Sequence, residues 1–148
     1  MFSIELSNKT VNNSGELVLP GKIIFGSDYD NFLSPISYWS RESYISHWKR
    51  ALGLILDGSD RSALITKMYS PKSANFIFWW VLYLEKDAIV FQQHILFLEE
   101  LDCKFSEENF TKFIPDRETV SEDGERISEW EVSFNDLENF YNHLINYE

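Results

Sequence analysis

Residues 75–84 read NFIFWWVLYL, and this apolar stretch decides the fold. Alternate side chains of a β-strand point to opposite faces of its sheet, and here both sets are apolar. The two sets are Phe76, Phe78, Trp80, Leu82 and Leu84 on one face and Ile77, Trp79, Val81 and Tyr83 on the other. The pattern predicts a central strand whose two faces are both at least partly covered.

Shorter strands are predicted on both sides of this stretch. Ala63–Tyr69 precedes it and Ile89–Leu98 follows it, each across a short turn. Nearer the N-terminus, alternation over residues 2–6 and two brief apolar runs around Pro20 indicate further strands. Because proline cannot donate to a strand ladder, we expect Pro20 at a sheet edge or a strand end, and residues 27–37 as a loop.

Two helices complete the predicted fold. Ser40 is a favourable N-cap, Gly58 suits the position after the last turn, and apolar residues between them recur every three or four positions. His47 falls off that apolar stripe. Ser133 begins the second helix in the same way.

The fold class is therefore α+β. We expect an antiparallel β-sheet with two main helices, at about 40–57 and 134–146, packed on it within a single domain of residues 1–148. The large apolar side chains should share one core, which we expect to contain Trp48, Phe78, Trp80, Trp130 and Phe140.

Charge is distributed very unevenly along the chain. Residues 1–83 contain seven acidic and eight basic side chains, whereas residues 84–148 contain seventeen acidic and five basic ones. The excess peaks between Glu99 and Glu125, where ten acids accompany three bases. Since like charges repel, a fold gains no stability from such a field. Two interpretations stay open: the charge keeps the protein soluble, or a basic partner binds it.

Under the second interpretation the acidic stretch is the contact surface. It reads as an irregular segment with a helical turn near Ser106 and a hairpin at Asp123-Gly124, and recognition concentrates in such loops. The candidate contact residues are Glu99, Glu100, Asp102, Glu107, Glu108, Asp116, Glu118, Glu122, Asp123 and Glu125.

The reactive side chains show no catalytic signature. His47, His94 and His143 lie far apart and have no metal-ligand spacing, and the single cysteine, Cys103, is expected to be an inert thiol. No glycine-rich phosphate loop is present. We therefore predict a protein that is not an enzyme and that holds no metal and no cofactor.

Composition also restricts the compartment and the partners. One cysteine permits no internal disulfide and the first residues do not read as a signal peptide, so a cytoplasmic protein is expected. The formal net charge of −11 should repel nucleic acids and anionic membranes.

A small acidic domain without catalytic groups fits an inhibitor of a basic enzyme. Nucleases are basic around their active sites because they bind phosphate, and charge complementarity would speed their capture. Two rivals stay open. One is a small-ligand or enzymatic domain with a pocket among Tyr29, Tyr38, Trp39 and Trp48; the other is an acidic adaptor for a different basic protein.

Several segments resemble those of bacterial contact-dependent growth inhibition immunity proteins of the CdiI type. They are WKRAL at 48–52, SALITKMY at 62–69, NFIFWW at 75–80, IPDRE at 114–118 and EDGERISEWE at 122–131. The likeness runs from about Ile23 to Phe140 and consists mainly of core and turn residues.

This resemblance implies a specific function. Immunity proteins of this kind bind and neutralise the toxic C-terminal domain of a partner CdiA effector, often a nuclease, in the cytoplasm of the producing cell. The family has no shared catalytic or binding motif, so no site residue is carried over and the identity of the toxin stays open.

Overall fold

Eight strands form two four-stranded antiparallel sheets in the computed structural model, which describes all residues from 1 to 148. The first sheet contains β1 (Phe2–Leu6), β2 (Val11–Asn13), β3 (Glu16–Phe25) and β4 (Asp28–Pro35). The second contains, in spatial order, β5 (Arg61–Lys67), β6 (Phe76–Glu85), β7 (Ala88–Phe97) and β8 (Trp130–Ser133). The α+β class is confirmed, while the division of the strands into two sheets was not predicted.

Pro20 lies inside the central strand of the first sheet, so the expectation of an edge or strand end was wrong. β3 pairs with β4 along one side and with β1 and β2, placed end to end, along the other. The Pro20 carbonyl accepts a hydrogen bond from the Ser7 N–H at 2.8 Å, one residue beyond the end of β1. Proline has no N–H to donate, but Pro20 lies where the pairing of β3 with β1 ends, so no hydrogen bond of that pairing is lost.

The predicted loop at residues 27–37 is mostly strand β4. Gly26, at a φ of 64°, begins the tight turn that joins β3 to β4. Farther along the hairpin, Phe32 lies across Gly21, where a Cβ would come within 2.2 Å of the Phe32 ring. Only glycine permits this close approach, which lets Phe32 cover the backbone of the central strand.

β6 has the interior position that its two apolar faces predicted, because it pairs with β5 on one side and β7 on the other. Its inner face, which includes Trp80, packs on the first sheet, with ring centroids of Trp80 and Phe25 5.1 Å apart. Its outer face includes Trp79 and Tyr83 and lies under the acidic part of the chain.

One core of 32 buried hydrophobic residues draws on both sheets and both helices. Trp48 and Trp80 are fully buried in it, and Trp130 and Phe140 pack against it, as expected. The expectation for Phe78 was wrong. Phe78 is partly exposed and stacks on the exposed Phe76, with ring centroids 5.3 Å apart. The inner face of β6 therefore extends beyond the core at its first residues, although Ile77 on the outer face is buried.

The two helices lie where the sequence predicted them. α1 comprises Arg41–Leu56 and α2 comprises Phe134–Tyr147. Ser40 and Ser133 are the N-caps, and each side chain accepts a hydrogen bond from the N–H three residues later, at 3.2 and 3.1 Å. These bonds satisfy amide groups that have no partner inside the helix.

Replacing Trp80 with Ala should lower the free energy of unfolding by about 3–5 kcal/mol, because the change leaves a large cavity between the two sheets. Phe76→Ala removes an aromatic ring from the same strand at a site that is 38% exposed, and it should be much milder. Urea unfolding of the two variants beside the wild type tests this. Equal losses in both variants would contradict the assigned core boundary.

Candidate protein-interaction surface

The acidic segment, residues 99–125, covers the outer face of the second sheet. Phe105 packs on Trp79 with ring centroids 6.2 Å apart, and the Tyr83 hydroxyl donates to the Pro115 carbonyl at 2.9 Å. Farther along, the Gln92 side chain on β7 donates to the Glu118 carbonyl at 2.9 Å. The segment thus crosses the sheet from β6 to β7 as a structural cover.

Apolar residues spaced along the segment form its underside. Phe105, Phe110 and Ile114 are buried, and Phe113 packs on Phe105 with ring centroids 5.1 Å apart. The predicted helical turn is confirmed as the short 3-10 helix Glu107–Phe113, preceded by another at Leu98–Glu100. This arrangement anchors the segment through its apolar side chains while all but one of its carboxylates are exposed.

Glu107 differs from the other candidate acids because it is partly buried and is bonded to two side chains of α1. Its carboxylate lies 3.0 Å from His47 Nδ1 and accepts a hydrogen bond from Arg50 at 2.6 Å. Arg50 also donates to the Glu107 backbone carbonyl at 2.8 Å. Burial alone would raise the pKa of Glu107, but the hydrogen bond with His47 and the charge of Arg50 outweigh it and lower that pKa.

The geometry around His47 fixes its protonation state. Nε2 accepts a hydrogen bond from the Ile65 N–H at 3.0 Å, so this nitrogen carries no proton and Nδ1 is the donor to Glu107. Complete burial lowers the pKa of His47, in agreement with a neutral ring. The sequence placed His47 off the apolar stripe of α1, yet it is only 3% exposed.

Two further arginines pin the segment. Arg61 forms an ion pair with Asp116 at 2.9 Å and donates to the Ile114 carbonyl at 3.2 Å. Arg117 forms a bidentate pair with Glu129, both bonds at 2.8 Å, and this pairing lowers the pKa of the Glu129 carboxyl. The segment is therefore held by arginine contacts at Glu107, at Ile114 and Asp116, and at Arg117.

Nine of the ten candidate acids are exposed, and Glu107 is the exception. Asp116 is paired with Arg61 although it remains open to solvent. The other eight form no ion pair within the chain: Glu99, Glu100, Asp102, Glu108, Glu118, Glu122, Asp123 and Glu125. The Asp123-Gly124 turn closes a minimal hairpin through a single bridge between Val120 and Arg126.

A second surface feature was not singled out from the sequence. Phe76, Ile95 and Phe97 are 38%, 50% and 44% exposed at the end of the β6–β7 hairpin that is remote from its turn. Cross-strand pairing of Phe76 with Phe97 and of Phe78 with Ile95 places all four side chains on one face. Exposed apolar patches of this kind commonly mark binding surfaces. In the sequence, this patch corresponds to apolar residues at the start of β6 and at the end of β7 that lie beyond the core.

The aromatic pocket proposed as a rival does not form as expected. Tyr38 and Trp39 line an open groove of about 630 Å³ together with Lys72 and Lys104. Trp48 is buried in the core, and Tyr29 lies on β4 with 62% of its surface exposed. The four aromatic side chains therefore share no single cavity.

Other functional groups are dispersed. No three His, Cys, Asp or Glu side chains approach closely enough to hold a metal ion. His94 contacts the Gln92 side chain at 2.8 Å within β7, and Cys103 is exposed. Neither helix has the length and apolar character needed to span a lipid bilayer.

A sheet whose covering segment presents unpaired carboxylates near exposed apolar side chains has a surface typical of a protein-binding domain. Comparison with known proteins narrows this class. The family model for the CdiI N-terminal domain matches residues 34–140. The immunity protein CdiI of Enterobacter cloacae is 42% identical over 147 residues, which cover 99% of this chain and all of that protein. A chain of the solved CdiA-CT/CdiI toxin and immunity complex from Enterobacter cloacae superposes with a TM-score of 0.91 at 40% identity, covering 99% of both chains.

The chain therefore belongs to the CdiI family of immunity proteins. The resemblance noted from the core and turn residues is confirmed over nearly the whole length of the chain.

The lowered pKa of His47 predicts a specific loss of stability in acid. Below about pH 6.5 the unfolded chain binds a proton on this histidine that the folded chain accepts only at lower pH, so the free energy of unfolding falls with falling pH. The contribution from one group is at most about 1.4 kcal/mol per pH unit. In His47→Gln it is absent, so the stability advantage of the wild type should shrink between pH 7.5 and 5.5. Denaturant unfolding across this range measures it, and parallel curves for the two proteins would refute the assignment.

Proposed function

We propose that this protein binds the toxic C-terminal domain of a CdiA-type effector and neutralises it. The observation that carries the proposal is the full-length similarity, in sequence and fold, to an immunity chain solved together with its toxin. We further propose that the toxin is a basic nuclease and that the two proteins meet in the cytoplasm of the producing cell. On this proposal the protein acts by binding and has no turnover chemistry of its own.

The exposed acidic surface suits such a partner. Eight carboxylates of the acidic segment have no cationic partner within the chain, so their field extends into solvent. A domain that binds nucleic acid carries positive charge where it holds phosphate. Opposite potentials accelerate encounter, and association rates can reach about 10⁸–10⁹ M⁻¹s⁻¹ at low salt. Rapid capture is what an inhibitor of a lethal enzyme requires.

The fixed backbone of the segment strengthens this argument. The buried Phe105 and Phe110, together with the Arg50, Arg61 and Arg117 contacts, hold the segment against the sheet before any partner arrives. A preorganised surface loses less conformational entropy on binding than a mobile loop does. The carboxylates therefore offer a defined pattern, which can distinguish one toxin from another.

Glu107 has a structural role in this proposal. Because its carboxylate is already bonded to His47 and Arg50, it positions the segment and has little capacity left for a partner. Asp116 is exposed but is paired with Arg61. We accordingly assign the toxin contacts chiefly to the eight unpaired acids.

Changing Glu118, Glu122 and Glu125 together to Lys should weaken binding to the toxin domain by about tenfold or more and should slow association most strongly at low salt. These residues are exposed and unpaired, so folding should be preserved. Calorimetry and stopped-flow kinetics with the purified toxin domain, at low and physiological salt, measure both effects. Growth of cells that produce the toxin reports protection.

The matched control changes Glu5, Asp28 and Glu138 to Lys. It alters net charge by the same amount at exposed, unpaired positions on β1, β4 and α2. It should bind almost as the wild type does. Equal weakening in both triple variants would mean that only total charge matters, and unchanged affinity in the first would overturn the contact assignment. Failure of the isolated toxin to degrade DNA or RNA would remove the nuclease part of the proposal.

A further inference from the structure

The second half of β7 has a neighbouring strand on one side only. β6 pairs with β7 along its whole length, from Ala88 to Phe97. β8 pairs with Ala88–Phe91 and then ends. Residues 92–97 therefore form an open sheet edge about six residues long, enough for a typical strand to pair with.

The backbone groups that face outward along this edge can be identified from the pairing pattern. The Phe134 N–H donates to the Asp87 carbonyl on the β8 side, and the Leu98 N–H donates to the Asn75 carbonyl on the β6 side. Because strand residues alternate in direction, odd-numbered residues of β7 turn their N–H and C=O groups away from β6. Beyond β8 these residues are Gln93, Ile95 and Phe97, and no other strand or side chain bonds to their backbone groups.

Apolar side chains accompany the open edge. Ile95 and Phe97 are about half exposed, and Phe76 and Phe78 stand beside them on β6. The first sheet covers the inner face around Trp80 but does not reach this end. A strand added at the edge could lay its own apolar side chains over these four residues.

Acidic residues flank the edge at both ends. Glu99 and Glu100 lie two and three residues beyond Phe97, where β7 ends. At the other end, the Gln92 side chain bonds the Glu118 carbonyl, at the base of the hairpin that carries Glu122 and Asp123. An extended segment lying along residues 92–97 would therefore meet carboxylates at each of its ends.

We propose that the toxin domain contributes an extended basic segment that pairs with residues 92–97 of β7 as an additional strand. Backbone hydrogen bonds form at Gln93, Ile95 and Phe97, apolar side chains cover the exposed patch, and Lys or Arg residues pair with the flanking carboxylates. This inference rests on the proposed function and specifies the mode of toxin binding.

A second copy of this chain is a poorer occupant for the same edge. Pairing of two β7 edges would bring the acidic groups of one copy, which are Glu99, Glu100 and those of the hairpin, close to the acidic groups of the other copy. With a net charge of −11 on each chain, that arrangement concentrates like charges around an apolar contact. A basic partner gains from the same charges.

Hydrogen exchange followed by NMR tests the proposal directly. In the free protein the amides of Gln92, His94 and Leu96 should be protected by β6, whereas those of Gln93, Ile95 and Phe97 should exchange quickly. Binding of the toxin domain should slow exchange at the three odd-numbered amides by at least tenfold, because each acquires a hydrogen bond. Contact through side chains alone would not produce this alternation.

Ile95→Pro provides the functional test, because it removes one outward N–H without removing a β6 bond, and Ile95→Ala controls for the lost side chain. The proline variant should bind the toxin about tenfold more weakly than the alanine variant. If the proline variant does not fold, the exchange measurement on the wild type decides.

The outcomes separate this inference from the proposed function. Complex formation without new protection at residues 93, 95 and 97 would overturn strand addition while leaving toxin binding intact. Protection of these amides in a toxin-free dimer would assign the edge to a second copy and likewise overturn it. Absence of any complex with the toxin would reject the proposed function itself.

Discussion

Hydrogen bonds from α1 to the free edge of β5 and to the end of β4 link the two sheets. At Ile65 the N–H donates to His47 Nε2 at 3.0 Å, and the carbonyl accepts from Trp48 Nε1 at 2.8 Å. Tyr44 makes a similar link, since its hydroxyl donates to the Pro35 carbonyl and accepts from the Met68 N–H. A buried backbone group left without a partner costs about 1–3 kcal/mol, so a covered strand edge requires such contacts. The side chains of α1 take the place of a neighbouring strand and join β4 to the end of β5.

His47 extends this junction to the surface. Its Nε2 accepts a hydrogen bond from the β5 edge and its Nδ1 donates one to Glu107. One neutral histidine therefore connects the core with the acidic segment. Arg50, one turn farther along α1, bonds the same carboxylate and the neighbouring backbone. The position of the carboxylates presented to a partner thus depends on helix packing inside the protein. Changes deep in the α1–β5 contact should alter recognition as well as stability.

The sequence predicted those elements that local patterns control, including the two-faced β6, both capped helices and the helical turn in the acidic segment. It missed features that depend on distant partners. The burial of His47 depends on Ile65, eighteen residues away, and Pro20 is tolerated in a central strand only because β1 ends opposite it. β4 begins with Asp-Tyr-Asp-Asn, residues mostly unfavourable in strands, and forms because β3 offers it a complete partner. The carboxylates were identified from composition. Which of them are paired within the chain and which are not could be seen only from the arginine contacts in the structure.

The division of the acids into paired and unpaired groups also explains how a compact fold tolerates so much negative charge. Arg50 and Arg117 match the partly buried carboxylates of Glu107 and Glu129, where the dielectric is lower than in water, and Arg61 pairs with the exposed Asp116. The eight unmatched carboxylates lie on the solvent side, where water and salt screen them. Their mutual repulsion still opposes compactness in the free protein, and a basic partner would relieve it on binding. Any ligand that binds only the folded state stabilises that state, so the same charges that weaken the isolated protein favour it within a complex.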